Sequence, residues 1–150
     1  MSLSKFNDNE IREEFVARFK KKNGLKLKNA REVSNHLIAF FSEIDTSIEN
    51  FVIIYLNGQN ELIDTEVLFT GSINAAAVYP RIVIEKIIEN KAANIIISHN
   101  HPSKELSPSS SDRALTKKIN EATSSIDVDL LDHLIIGGSE YSSFSDMRLL

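Results

Sequence analysis

Residues 94–98, Asn-Ile-Ile-Ile-Ser, run apolar through three consecutive isoleucines. A half-exposed strand would alternate, so this short continuous run reads as a strand covered on both faces, and the chain must supply an apolar layer for each side of it. The segment from His99 to Pro108 is conspicuously polar and reads as a loop at the exit of that central strand.

The rest of the chain offers those layers. Phe51–Leu56 is β-branched and aromatic, Asn57-Gly58 is a hairpin turn signal, and a second strand follows from Leu62 to Phe69. Ile11, Phe15 and Phe19 recur at four-residue spacing between Asn7-Asp8-Asn9 and Gly24, which predicts a helix near 9–22 with its aromatics in the core. A second helix is expected from about Ala30 to Phe41, with Val33, Leu37, Phe40 and Phe41 inward and His36 on the solvent side. A third is expected from Ala75 to Asn90, where Pro80 is tolerable near a helix start. Residues 109–123 read as a fourth helix, Val128–Ile136 as a strand ended by Gly137-Gly138, and Tyr141–Phe144 as an edge strand. The sum is a mixed α/β domain of one sheet with helices packed on it. It divides into an N-terminal helix and connector over residues 1–28 and a compact domain over 29–150.

At 150 residues the chain suits one hydrophobic core. It has no cysteine, which excludes disulfides, thiolate nucleophiles and Cys-ligated zinc and leaves any metal to His, Asp or Glu. The N-terminus lacks an apolar signal core and no apolar run is long enough to cross a bilayer, so a cytoplasmic location away from membranes is expected. The net charge of −4 gives no general attraction to phosphate backbones. Lys20, Lys21, Lys22, Lys26, Lys28 and Arg31 cluster, and such a run reads first as a solvated helix end and connector.

Chemistry concentrates at the exit of the 94–98 strand. Side chains two residues apart in extended chain share a face, so His99 and His101 can present both imidazoles to one ion. Asp112 lies eleven residues after His101, beyond a connection stiffened by Pro102 and Pro108, and can add an anionic third ligand. Three protein ligands plus a water is the arrangement of a catalytic zinc. Ser109-x-x-Asp112 also has the form of a capping box, and a carboxylate on a first helical turn can do both jobs. His133, beside Asp132 in the late strand, reads as a hydrogen-bonded structural residue, and the pair as a candidate outer layer around the ligands.

His-x-His, seven residues, Ser, two residues, Asp resembles the JAMM (MPN+) metalloprotease motif. His99-Asn-His-Pro-Ser103 and Asp132-His-Leu-Ile-Ile-Gly137 are similar to its RadC-like branch, as are Phe69-x-Gly71, Asn74 and Tyr79-Pro80-Arg81. The resemblance spans roughly residues 30–150 and implies a JAMM/MPN-like fold of cytidine-deaminase-like architecture. It also implies one zinc ion per chain on His99, His101 and Asp112, a glutamate that activates water, and Ser109 supporting the tetrahedral intermediate. The glutamate of this family precedes an early apolar strand, which selects Glu49; Glu66, in the second strand of the hairpin, is the alternative. Lys104 stands where RadC-like proteins often carry glycine, with Glu105 beside it, and the chain leaves no room for the helix-hairpin-helix region that precedes the domain in longer relatives. The implied function is a zinc-dependent hydrolase acting on an amide bond of a protein or peptide. A DNA-repair-associated accessory role of the RadC type and a metal-free interaction scaffold are the alternatives.

Overall fold

In the computed structural model, which describes residues 3–150, the run of isoleucines lies at the middle of a five-stranded mixed sheet. The strands are β1 (Asn50–Leu56), β2 (Leu62–Thr70), β3 (Asn94–Asn100), β4 (Asp129–Gly137) and β5 (Glu140–Ser143), in spatial order β2-β1-β3-β4-β5. All neighbours pair antiparallel except β3 and β4, which run parallel. Four α-helices complete the described residues: α1 (Asp8–Phe19), α2 (Ala30–Phe41), α3 (Pro80–Glu89) and α4 (Ser110–Ser124). None of the described helices is long and apolar enough to cross a membrane.

The sheet is covered on both faces, as its central strand requires. On one side α2 and the connector bring Leu27, Val33, Leu37 and Phe41 against Val52, Ile54, Ile96 and Leu134. On the other, Val83 and Ile87 of α3 and Leu115 and Ile119 of α4 pack on Phe51, Ile53, Tyr55, Ile95 and Ile97. Both β1 and β3 thus alternate between two buried layers, and all seven residues of β1 are buried.

Four expectations need correction. The aromatics of α1 are not core: no residue of that helix is buried, Ile11 and Phe19 are 37% and 38% exposed, and the Phe15 and Phe19 rings meet at a tilt, 4.7 Å between centroids. A four-residue repeat reports a one-sided helix without saying whether anything covers the side. The third helix starts at Pro80, not Ala75. Asn74 accepts the N–H groups of Ala76 and Ala77 in a local turn, and the residue before a proline is held extended, as Tyr79 is. The β1–β2 connection is also wider than a two-residue turn: Asn57 accepts from Gln59 and Glu61 N–H, and Asn60 takes the left-handed conformation.

His36 is the fourth correction. It is buried, at 1% exposure, because the chain on either side of α2 closes over it. The Lys21 N–H donates to His36 Nδ1 at 2.9 Å, which leaves the ring proton on Nε2, 2.9 Å from Thr65 Oγ1 of β2. Burial, helped by the charges of Lys20 and Lys21, lowers its pKa to about 4. The folded value lies below the unfolded one, so between about pH 6.5 and 4 the unfolded chain binds more protons and stability is lost as pH falls, by up to about 3 kcal/mol. Urea unfolding from pH 7 to 4.5 should therefore show the wild type losing stability more steeply than His36→Gln; parallel curves would exclude this role.

Candidate metal centre

β3 delivers His99 and His101 to one end of the sheet. Both belong to the face that carries Ile95 and Ile97, which is the face covered by α4. Asn100, between them, faces the other way and anchors the strand end: its Oδ1 accepts the Asn50 N–H at 2.7 Å and its Nδ2 donates to Ile48 O at 2.9 Å. The His101 N–H extends the β3–β4 ladder by donating to Ile136 O at 3.0 Å.

α4 delivers Asp112 to the same place. Ser109 is its N-cap, accepting the Asp112 N–H at 3.0 Å, while Asp112 Oδ2 accepts the Ser109 N–H at 2.8 Å. The capping box is therefore real, and the capping carboxylate also faces the histidines. Asp112 Oδ1 lies 3.2 Å from His99 Nε2, Asp112 Oδ2 lies 3.3 Å from His101 Nε2, and the two Nε2 atoms are 2.8 Å apart. His99 and Asp112 are buried; His101 is partly open.

The donor chemistry fits a cation. His101 Nδ1 donates to the Glu105 carbonyl at 2.5 Å, so a neutral His101 presents a lone pair at Nε2. His99 Nδ1 is likewise occupied, by His133 Nε2 at 2.8 Å. Two imidazole lone pairs and a carboxylate aimed at one point repel unless a positive charge lies among them. Donors on a tetrahedral zinc stand about 3.3 Å apart, close to the two His–Asp separations. Among the described residues, these three are the group of His, Asp and Glu side chains whose ligand atoms converge in this way.

Burial works against ionisation of Asp112, but its polar partners, the Ser109 N–H among them, outweigh it and hold the carboxyl below the usual carboxylate range. His133 is fully buried, and that burial, with His99 beside it, keeps its pKa well below that of a free imidazole. Asp132 does not orient a ligand. It accepts from His133 N–H, Ser143 Oγ and Ser145 N–H, and so ties β4 to β5 and the following turn; its pKa is raised by burial, against those hydrogen bonds.

Glu49 and Glu66 are separated by register. β1 pairs Phe51 with His99, and continuing that pairing sets Glu49, on the same face as Phe51, opposite His101. Its Oε2 accepts the Ile73 N–H at 2.9 Å, and its carbonyl accepts the Gly71 N–H. Glu66 sits opposite Ile53, one strand farther from β3, and is engaged by the Tyr55 hydroxyl at 2.5 Å. A groove of about 270 Å³ opens beside His101, bounded by Ile38, Phe41, Thr46, Asn100 and Lys104. Of the basic connector, Lys20 and Lys21 are paired with Glu43 and Glu32.

Three contributors escaped the sequence reading: Thr116, the Glu105 carbonyl and Gly137. The signal for Gly137 was its place at the end of β4. A Cβ there would stand 2.9 Å from both Lys104 O and Leu106 Cδ2, so only glycine lets the loop that orients His101 lie against the strand.

Comparison with known proteins gives a coherent set. A family model described as RadC-like JAB domain matches residues 27–149. The UPF0758 protein YeeS of Escherichia coli (strain K12) is 45% identical over 102 residues, 68% of this chain and 69% of that protein. A UPF0758 protein of Pseudoalteromonas translucida (strain TAC 125) is 44% identical over 102 residues, 68% of this chain and 46% of that protein. One from Vibrio atlanticus (strain LGP32) is 40% identical over 114 residues, 75% and 51% respectively. The chain spans about half the length of most of these relatives.

Gly137→Ala should push the Lys104–Leu106 loop outward and cost about 1–3 kcal/mol by overpacking. Zinc affinity, read by chelator competition, should fall about tenfold through the lost Glu105–His101 contact. Wild-type affinity in a destabilised variant would show that the loop does not orient His101.

Proposed function

Because the chain belongs to the RadC-like JAB domain family, we propose that it is a zinc-dependent hydrolase domain acting on an amide or isopeptide bond of a protein or peptide. The observation that carries this reading is the convergence of His99 Nε2, His101 Nε2 and Asp112 within hydrogen-bonding distances of one another, each other imidazole nitrogen being occupied from outside. One zinc ion per chain, held by these three residues, would supply Lewis acidity and lower the pKa of a coordinated water to about 7.

The chain's own residues divide the remaining work. Glu49 takes the proton of the attacking water and returns it to the departing amine, acting as general base and then general acid. Its anchored Oε2 fixes the carboxyl plane and leaves Oε1 for proton transfer. Ser109, exposed at the helix N-terminus, accepts the Asp112 N–H through its oxygen and keeps its own hydroxyl proton for the developing oxyanion. His99 and Asp112 are shielded from solvent while His101 is partly open and Ser109 is exposed, so substrate is expected to approach from the His101 side.

Elemental analysis of the purified chain is expected to give about one zinc per chain, lost in His101→Ala. With zinc bound, Glu49→Gln should retain the metal and lose hydrolysis of peptide or isopeptide substrates by about 10²-fold or more. Absence of zinc after reconstitution would retire the metal site, and an unchanged rate in Glu49→Gln would retire the role of Glu49.

A further inference from the structure

We propose that Thr116 and His133 are positioning residues that fix the tautomer of His99, so that its Nε2 lone pair, and not an N–H, faces Asp112 and His101. The proposal rests on the reading of His99 as a metal ligand. A ligating histidine is usually oriented by a carboxylate or carbonyl, which can only accept a proton. Here the partner of His99 Nδ1 is another imidazole, His133 Nε2, at 2.8 Å. An imidazole can donate or accept, so this contact alone leaves the direction open.

Thr116 supplies the direction. It sits one turn after Asp112 on α4, and its hydroxyl donates to the Asp112 carbonyl at 2.8 Å. With its one proton used there, Thr116 Oγ1 must accept from His133 Nδ1, 2.6 Å away. The His133 proton is then on Nδ1, its Nε2 is an acceptor, and His99 must carry its own proton on Nδ1. The chain of contacts starts at the Asp112 carbonyl and ends at His99 Nε2, 3.2 Å from the Asp112 carboxylate. One residue thus begins the relay and shares its outcome.

The surroundings keep the relay in register. His133, Thr116 and His99 are buried, at 0%, 2% and 0% exposure, so bulk solvent does not reach their contacts. Phe144 stacks on the His133 ring at 4.5 Å between centroids and 15° between planes. Turning that ring over would exchange both nitrogens for carbons and lose both hydrogen bonds.

The test uses the full chain labelled with ¹⁵N-histidine at pH 8, before and after zinc addition. Long-range ¹H–¹⁵N spectra of the wild type should show His99 and His133 both protonated at Nδ1. Thr116→Val keeps the shape and removes the hydroxyl; it should turn both residues into tautomer mixtures and weaken zinc binding, by chelator competition, about tenfold or more. Thr116→Ser should restore the single tautomers and bring affinity to within a few-fold of wild type. Thr116→Ala gives the same reading should the valine variant not fold. A single Nδ1–H tautomer of His99 in the valine or alanine variant would overturn the relay. A wild type that binds no zinc would overturn the ligand reading, while the tautomers would still decide the relay.

Discussion

The parallel pairing of β3 with β4 sets Ile135 beside His99 and His133 beside Ile97, on the face that α4 covers. That register brings the His99 and His133 rings into contact under the first turns of α4, where Asp112 and Thr116 project. A one-residue slip would turn the histidines toward the α2 layer and leave their nitrogens among Val52, Leu134 and Ile136. The slip is opposed from both sides: Asn100 locks β3 to the start of β1, and His101 N–H binds Ile136 O. The strand order follows from the same need. With β1 antiparallel on one flank of β3 and β4 parallel on the other, one sheet end gathers Glu49, the two histidines and the glycine that admits the His101 loop.

A cluster of His99, His133, Asp112 and Thr116 in a buried layer costs desolvation that must be returned as hydrogen bonds. The return is nearly complete. Outside the point where His99 Nε2, His101 Nε2 and Asp112 Oδ1 converge, the ring nitrogens of His99 and His133 are partnered, and Asp112 Oδ2 accepts the Ser109 N–H. Among the described residues the one buried side-chain polar atom left without a partner is Ser98 Oγ, on the opposite face of β3. In such a network the loss of one member strands the others, at about 1–3 kcal/mol for each buried group left unsatisfied. The site's order therefore resides in the connections between side chains more than in any one of them.

The parts legible in the sequence were those governed by local pattern. Three isoleucines announced the central strand, His-x-His the shared face, and Ser109-x-x-Asp112 the helix start. What stayed hidden depends on pairs distant in the chain. His36 looked solvent-facing because helical spacing shows where α2 is most apolar, while Lys21 and Thr65, which bury it, come from the connector and from β2. The aromatics of α1 are the converse, a four-residue repeat whose Ile11 and Phe19 stay exposed. Thr116 reads as an ordinary helical residue until β4 brings His133 to it across 17 positions. Gly137 looked like a strand terminator, and its function is to admit a loop.

Capping at Asp112 and the ligation proposed for it would reinforce each other. The helix N-terminus carries a partial positive charge that favours a carboxylate in its first turn. The Ser109 N–H donates to that carboxylate and helps hold it ionised against the cost of burial, which keeps it available as an anionic donor. The oxygens are shared between the tasks: Oδ2 serves the cap and faces His101, and Oδ1 faces His99. The helix must therefore form for the carboxylate to be placed, and a cation between the three donors would relieve their repulsion and tighten the first turn in return. With both imidazoles neutral, as ligation requires, the donor set would carry a single formal negative charge. A bound divalent ion would keep part of its charge uncompensated, as the activation of a water molecule requires.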